Sequence, residues 1–165
     1  MIIMGIVCEF YRISDSGIDA LIADGENADE YLDENYASIY GKFHIEDDIH
    51  FYTDKAWGIA LYLLESADLS SSNIIADIRK DTIPGSSNAT CFIKSAKVRK
   101  INESLQQIEL NKLFDLYNEE KMIGEGVYKA GELTDQEFIT SHAHTIKKAF
   151  MQAAKHLDGI VVAFR

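Results

Sequence analysis

The chain has 165 residues and is 47% hydrophobic, enough apolar material for one core without a disulfide or metal staple, so residues 1–165 are expected to form a single domain. Its 27 acidic residues against 16 basic ones give a net charge of −11 at pH 7, which repels phosphate backbones and argues against nucleic acid or an anionic membrane as the main partner. Cys8 and Cys91 stand far apart without a C-x-x-C spacing, so neither a disulfide framework nor a metal or other cofactor is expected.

The run from Met1 to Cys8 is apolar but has no basic residues before it, and Glu9 cuts it far short of a membrane span. It reads as a buried strand, and a cytoplasmic location follows as the expectation. Residues 3–13 combine β-branched and aromatic types without a helical period, with Glu9 as the exception in an otherwise buried strand. Small polar residues from Ser14 onward offer caps for a short helix whose inner face is Ile18, Leu21 and Ile22, ended by Gly25. A second helix over residues 28–36 turns Tyr31, Leu32 and Tyr36 inward and Asp29, Glu30, Asp33 and Glu34 to water.

Residues 41–53 mix His44, Glu46, Asp47, Asp48 and His50 with apolar residues, a donor set that suits zinc, manganese or iron. Their alternation with Ile45, Ile49 and Phe51 favours core anchors flanked by solvated charges, and no metal site is assigned. Residues 54–66 form the central helix: Asp54 is placed to cap it, and Trp57, Ala60, Leu61 and Leu64 share one face of a segment apolar on nearly all sides. Residues 81–90, with Pro84-Gly85 and several hydroxyls, read as a plain exposed loop that matches neither a P-loop nor a nucleophile elbow.

Residues 98–101 are expected as a short strand, with Asn102 capping a helix over 103–110. Gly124 and Gly126 mark residues 119–128 as irregular and closely approached. Thr134 and Glu137 fit a capping box opening the longest helix, residues 134–157, which Gly159 closes. His142 and His144 point about 200° apart on that helix and cannot share a metal. Ile160 to Phe164 form an uninterrupted apolar strand. These elements make an α+β fold.

Three stretches together resemble the bacterial YfbM-like family of unknown function: Phe10-Tyr11-Arg12-Ile13-Ser14, Asp54-Lys55-Ala56-Trp57 before an apolar helix, and Glu120-Lys121-Met122 with Val127-Tyr128. The resemblance spans nearly the whole chain and implies an α+β domain with a mixed β-sheet packed against several helices. It implies no established activity. The chain departs from the family where Gly58-Ile59-Ala60-Leu61 lacks the usual histidine, where serines replace a glycine-rich middle segment, and where Lys129 stands in place of a proline.

Two functions fit these residues. The first is a non-catalytic binding or regulatory protein, of the immunity or toxin-neutralising type, whose acidic surface and nearby Tyr31, Tyr36, Tyr40 and Tyr52 meet a basic protein partner. The second is a small enzyme or ligand-binding domain with a cleft between the central helix and residues 122–128. Its candidate residues are Asp54, Lys55, Trp57, Glu125 and Tyr128, a carboxylate serving as acid or base and Trp57 stacking a ring. Against each stands a plainer role: cap for Asp54, surface charge for Lys55, core anchor for Trp57, packed ring for Tyr128. Nothing in the sequence speaks to oligomeric state.

Overall fold

The computed structural model describes residues 5–36, 49–68, 73–87 and 90–165. Four strands build one sheet: β1 (Cys8–Ile13), β2 (His50–Tyr52), β3 (Cys91–Ile93) and β4 (Gly159–Phe164), in the spatial order β2-β1-β4-β3. The class is α+β, but every pairing among the described residues is antiparallel, so there the sheet is antiparallel rather than the mixed one the resemblance implied. The apolar run of β4 is central, hydrogen-bonded to β1 on one side and β3 on the other, which is why both of its faces are hydrophobic.

Side-chain alternation gives this sheet two cores. Cys8 and Phe10 of β1, Ile160 and Val162 of β4, and Cys91 and Ile93 of β3 point to the larger one. That face is covered by helices α3 (Trp57–Ala67), α4 (Ile74–Arg79), α5 (Ser95–Gln106) and α7 (Gln136–Lys155). Tyr11, Ile13, Val161 and Ala163 point the other way, against α1 (Asp15–Ala23), α2 (Ala28–Tyr36) and Ile83. The central helix is α3, where Gly58 to Leu61, Leu63 and Leu64 are buried. Each large aliphatic side chain removed from water there contributes about 1.5–3 kcal/mol.

Local starts and stops differ from expectation at several places. Asp54 does not cap α3: it opens a 3₁₀ turn, Asp54–Ala56, at φ +47°, and its carboxylate accepts from the Lys55 backbone N–H at 2.7 Å. Residues 98–101 belong to helix α5 rather than a strand, because Val98, Ile101 and Leu105 repeat at helical spacing and are all buried. The strand lies earlier, at Cys91–Ile93. Helix α7 is capped by Asp135, which accepts from Phe138 N at 2.7 Å, not by Thr134. Residues 119–124 form helix α6 (Glu119–Gly124), and a Cβ added at Gly124 or Gly126 would meet no neighbour within 4 Å among the described residues; Gly126 is needed for its φ of +72° instead. No helix of the described residues is long and apolar enough to cross a membrane.

Candidate functional site

Of the five residues singled out in the sequence, Trp57 and Tyr128 meet directly. Their rings stack at 4.9 Å with an interplanar angle of 16°, and Phe164 packs edge-on against the indole at 5.1 Å. The pair also clasps the chain before β1. Trp57 Nε1 donates to the Ile6 carbonyl at 2.9 Å, and Ile6 N donates to the Tyr128 hydroxyl at 2.6 Å, so both backbone polar groups of Ile6 are satisfied by aromatic side chains. The Lys55 stem and the Tyr128 hydroxyl lie over Gly5 so closely that a Cβ there would come within 2.8–2.9 Å of them. Gly58 is equally constrained: its Cβ would sit 2.7 Å from Tyr128 Cβ and 2.8 Å from the Tyr128 carbonyl oxygen. Helix α3 and the residue-128 turn are therefore in van der Waals contact. Glu125 stands away from this contact, exposed at the end of α6 with Lys121 Nζ 4.0 Å away. Asp54 reaches His142 on α7 electrostatically; burial holds the His142 imidazole below its ordinary pKa while the Asp54 charge opposes that shift.

A second constellation gathers around Glu9, the lone acid of β1. Its Oε2 accepts from the Tyr11 hydroxyl at 2.8 Å and lies 3.0 Å from Arg165 Nε, and its Oε1 is 3.2 Å from His50 Nε2. Burial raises the Glu9 carboxyl, but the hydrogen bonds from His50 and Tyr11 and the charges of His50 and Arg165 outweigh it and hold the group below its ordinary value. Tyr11 stacks on His50 at 4.8 Å and meets Tyr36 edge-on at 5.6 Å, while Arg165 continues to Asp33 on α2. The network ties α2 and β2 to the sheet. Of the metal-type residues in 41–53, His50 is thus paired with Glu9, and His44, Glu46, Asp47 and Asp48 lie outside the described residues, as does Tyr40. Among the described residues no group of three His, Cys, Asp or Glu side chains is arranged to hold a metal ion.

The third arrangement is the acidic face. Between Asp15 and Tyr36 the chain carries eight carboxylates, Asp15, Asp19, Asp24, Glu26, Asp29, Glu30, Asp33 and Glu34, and no Lys, Arg or His. Four of them work internally. Asp15 accepts from Ser95 N and Oγ, Asp19 pairs with Lys94, Asp33 pairs with Arg165, and Asp29 accepts from Ser87 N at 2.8 Å, Ser87 Oγ at 2.7 Å and Thr90 Oγ1 at 2.7 Å. Burial alone would raise the Asp29 carboxyl; the Ser87 and Thr90 bonds hold it low. Those bonds also pin the serine-rich segment, so it is a docked loop rather than a free one. Gly25 allows this, since a Cβ there would lie 1.7 Å from the Pro84 carbonyl oxygen. Glu26, Glu30 and Glu34 are exposed, with no ion-pair partner among the described residues.

Between α1 and α2 lies a groove of about 210 Å³. Gly17, Ala20, Leu21 and Asp24 line it as one i, i+3, i+4, i+7 stripe of α1 and its cap, facing Asn27 and Tyr31. Sequence reasoning placed Tyr31 inward, but it is 46% exposed, because Ala28 and Leu32 fill the buried face of α2 and leave position 31 on the groove side. The repeating small residues of α1 were the signal available for the groove. A larger, more open hollow of about 550 Å³ at the start of α7 is lined by Leu110, Gln136, Glu137, Thr140, Ser141 and His144.

Comparison with known proteins agrees with this architecture. Residues 4–163 match the family described as Domain of unknown function (DUF1877). A solved structure, that of YfbM from Escherichia coli, a protein of unknown function, superposes with a TM-score of 0.65, covering 96% of this chain and 99% of that one at 9% sequence identity. At that identity the likeness is one of fold. No curated protein matches the chain in sequence. The match over 160 of 165 positions makes the chain a member of the DUF1877 family, the YfbM-like family of unknown function.

Proposed function

We propose that this protein is a non-catalytic binding protein whose acidic α1–α2 face receives a basic protein partner, as an immunity-type inhibitor would. The observation that carries the reading is the charge distribution. Positions 15–36 hold eight acids and no base, a local net of −8 against −11 for the whole chain. Internal partners neutralise only part of that face, and an excess of one sign steers a complementary partner and disfavours phosphate backbones. The exposed Tyr31 ring among these carboxylates adds the aromatic anchor that interface cores favour.

The test begins with tagged protein used to isolate interacting proteins from the source cells at low salt, followed by titration with the purified partner. A basic partner should bind with an affinity that falls as salt rises and falls further in the charge reversals Glu30→Lys and Glu34→Lys, both at exposed positions. A partner whose affinity ignores salt and both reversals, or no partner at all, would overturn the reading. Neutralisation of a toxic partner by the wild-type chain would mark the immunity role.

A further inference from the structure

The geometry points to the α1–α2 groove as a socket for one arginine side chain of the partner, an inference that rests on the acidic face being the binding surface. Size decides the class of occupant. At about 210 Å³ the groove is below the range of about 300–1,000 Å³ typical for whole small-molecule ligands, yet it has room for one long side chain. Its lining combines apolar and polar residues. Gly17, Ala20 and Leu21 offer an apolar wall for a methylene stem, Asp24 supplies a carboxylate, and the exposed Tyr31 side chain lines the same groove.

The polar groups are placed for a planar cation. Asn27 Nδ2 donates to Asp24 Oδ1 at 2.9 Å, which fixes the carboxylate without neutralising it, and Asp24 has no ion-pair partner among the described residues. Each carboxylate oxygen carries two acceptor sites, so both oxygens can still take a guanidinium fork. Tyr31 presents a ring on which that plane can stack. Arginine is favoured over lysine here because the guanidinium is planar, weakly hydrated and bidentate, while an ammonium remains a compact hydrated charge. The exposed Glu26, Glu30 and Glu34 of the same acidic segment favour a basic partner segment over an acidic or neutral one.

The experiment titrates the full chain, isotopically labelled, with N-acetyl-arginine amide and in parallel with N-acetyl-lysine amide, following backbone amide shifts. The arginine probe should give saturating shifts centred on Gly17, Ala20, Asp24, Asn27 and Tyr31, with lysine at least about fivefold weaker. Asp24→Asn and Tyr31→Ala should each weaken the arginine probe by about fivefold or more, with unchanged circular dichroism and thermal midpoint showing that the fold survives. Non-saturating shifts spread over all the exposed carboxylates, equal response to both probes, or shifts centred on the α7 hollow would overturn the socket. An octa-arginine peptide separates the two ideas. If it binds with a salt-dependent affinity that Glu30→Lys lowers but Asp24→Asn and Tyr31→Ala do not, the socket fails and the acidic-face reading stands; if it does not bind, both fail.

Discussion

Asp54 sits in left-handed backbone at φ +47°, where an L-residue other than glycine, asparagine or aspartate costs about 1–2 kcal/mol. Its carboxylate answers locally by accepting from Lys55 N, the kind of short side-chain bond that makes aspartate tolerable there. The role is conformational, and it separates from capping by substitution. Asp54→Gly should leave stability within about 0.5 kcal/mol of wild type, because glycine adopts positive φ freely. Asp54→Val, with a β-branched side chain in the same conformation, should lose about 2 kcal/mol. Urea unfolding of the two variants checks this, and equal losses in both would return Asp54 to a role made of its carboxylate alone. Gly25 is a harder constraint. A Cβ placed 1.7 Å from the Pro84 carbonyl oxygen cannot be absorbed by a rotamer change, since the obstacle is backbone. Gly25→Ala should therefore cost at least about 3 kcal/mol, at or beyond the upper end of ordinary overpacking, read as a lowered urea midpoint.

At the scale of elements, the Asp29 clamp joins α2 to the loop that leads into β3. Three hydrogen bonds converge on a half-exposed carboxylate, so their combined contribution is discounted to about 2 kcal/mol. Asp29→Ala should lower global stability by about that amount and speed hydrogen exchange in residues 82–87 more than in α7; uniform acceleration across the chain would mean that the clamp is not local. This joint was illegible in the sequence because its partners are 58 and 61 positions apart, with no periodicity linking an acid on a helix to hydroxyls in a loop. What could be read were the elements with a clear repeat: the limits of α2, the long α7, the buried α3 and the apolar β4. Helix α5 differs from the expected strand because its exposed residues, Arg99, Lys100 and Glu103, break the apolar run into pieces short enough to pass for a strand. The same limit applies to the site. The Trp57 and Tyr128 motifs were visible one at a time, but their stacking, and their grip on Ile6, exist only once α3 and the turn after α6 are brought together. Glu9 did carry a signal, a single acid inside an apolar strand, although its partners Tyr11, His50 and Arg165 come from β1, β2 and the residue after β4.

For the whole molecule, acid sets competing forces against one another. Lowering the pH from 7 toward the isoelectric point near 4.8 removes net negative charge and with it some self-repulsion, which favours the folded state. The protein's shifted groups act in the opposite sense. Burial lowers the His142 pKa below 6.5, and its Nε2 is buried without a hydrogen-bond partner among the described residues, so in the window just below pH 6.5 the unfolded chain holds more protons than the folded one. Stability is then lost as pH falls through that window. Glu9, held below 4.5, and Asp29, held below 3.8, have the same sign: their contribution is present above those values and is lost as pH drops through the lowered ones. The relief of repulsion is common to any variant of similar charge, so a difference between two chains cancels it. His142→Phe removes the titrating group and leaves an aromatic ring beside Phe138, whose ring lies 4.4 Å from that of His142. Unfolding midpoints measured from pH 8 to 3 should show wild type weakening relative to His142→Phe as the pH falls below 6.5, with the two curves running parallel again once His142 is protonated in the folded chain as well, where Glu9 and Asp29 titrate alike in both. Parallel curves across the whole range would mean that His142 is already solvated enough in the folded chain to titrate as it does in the unfolded one.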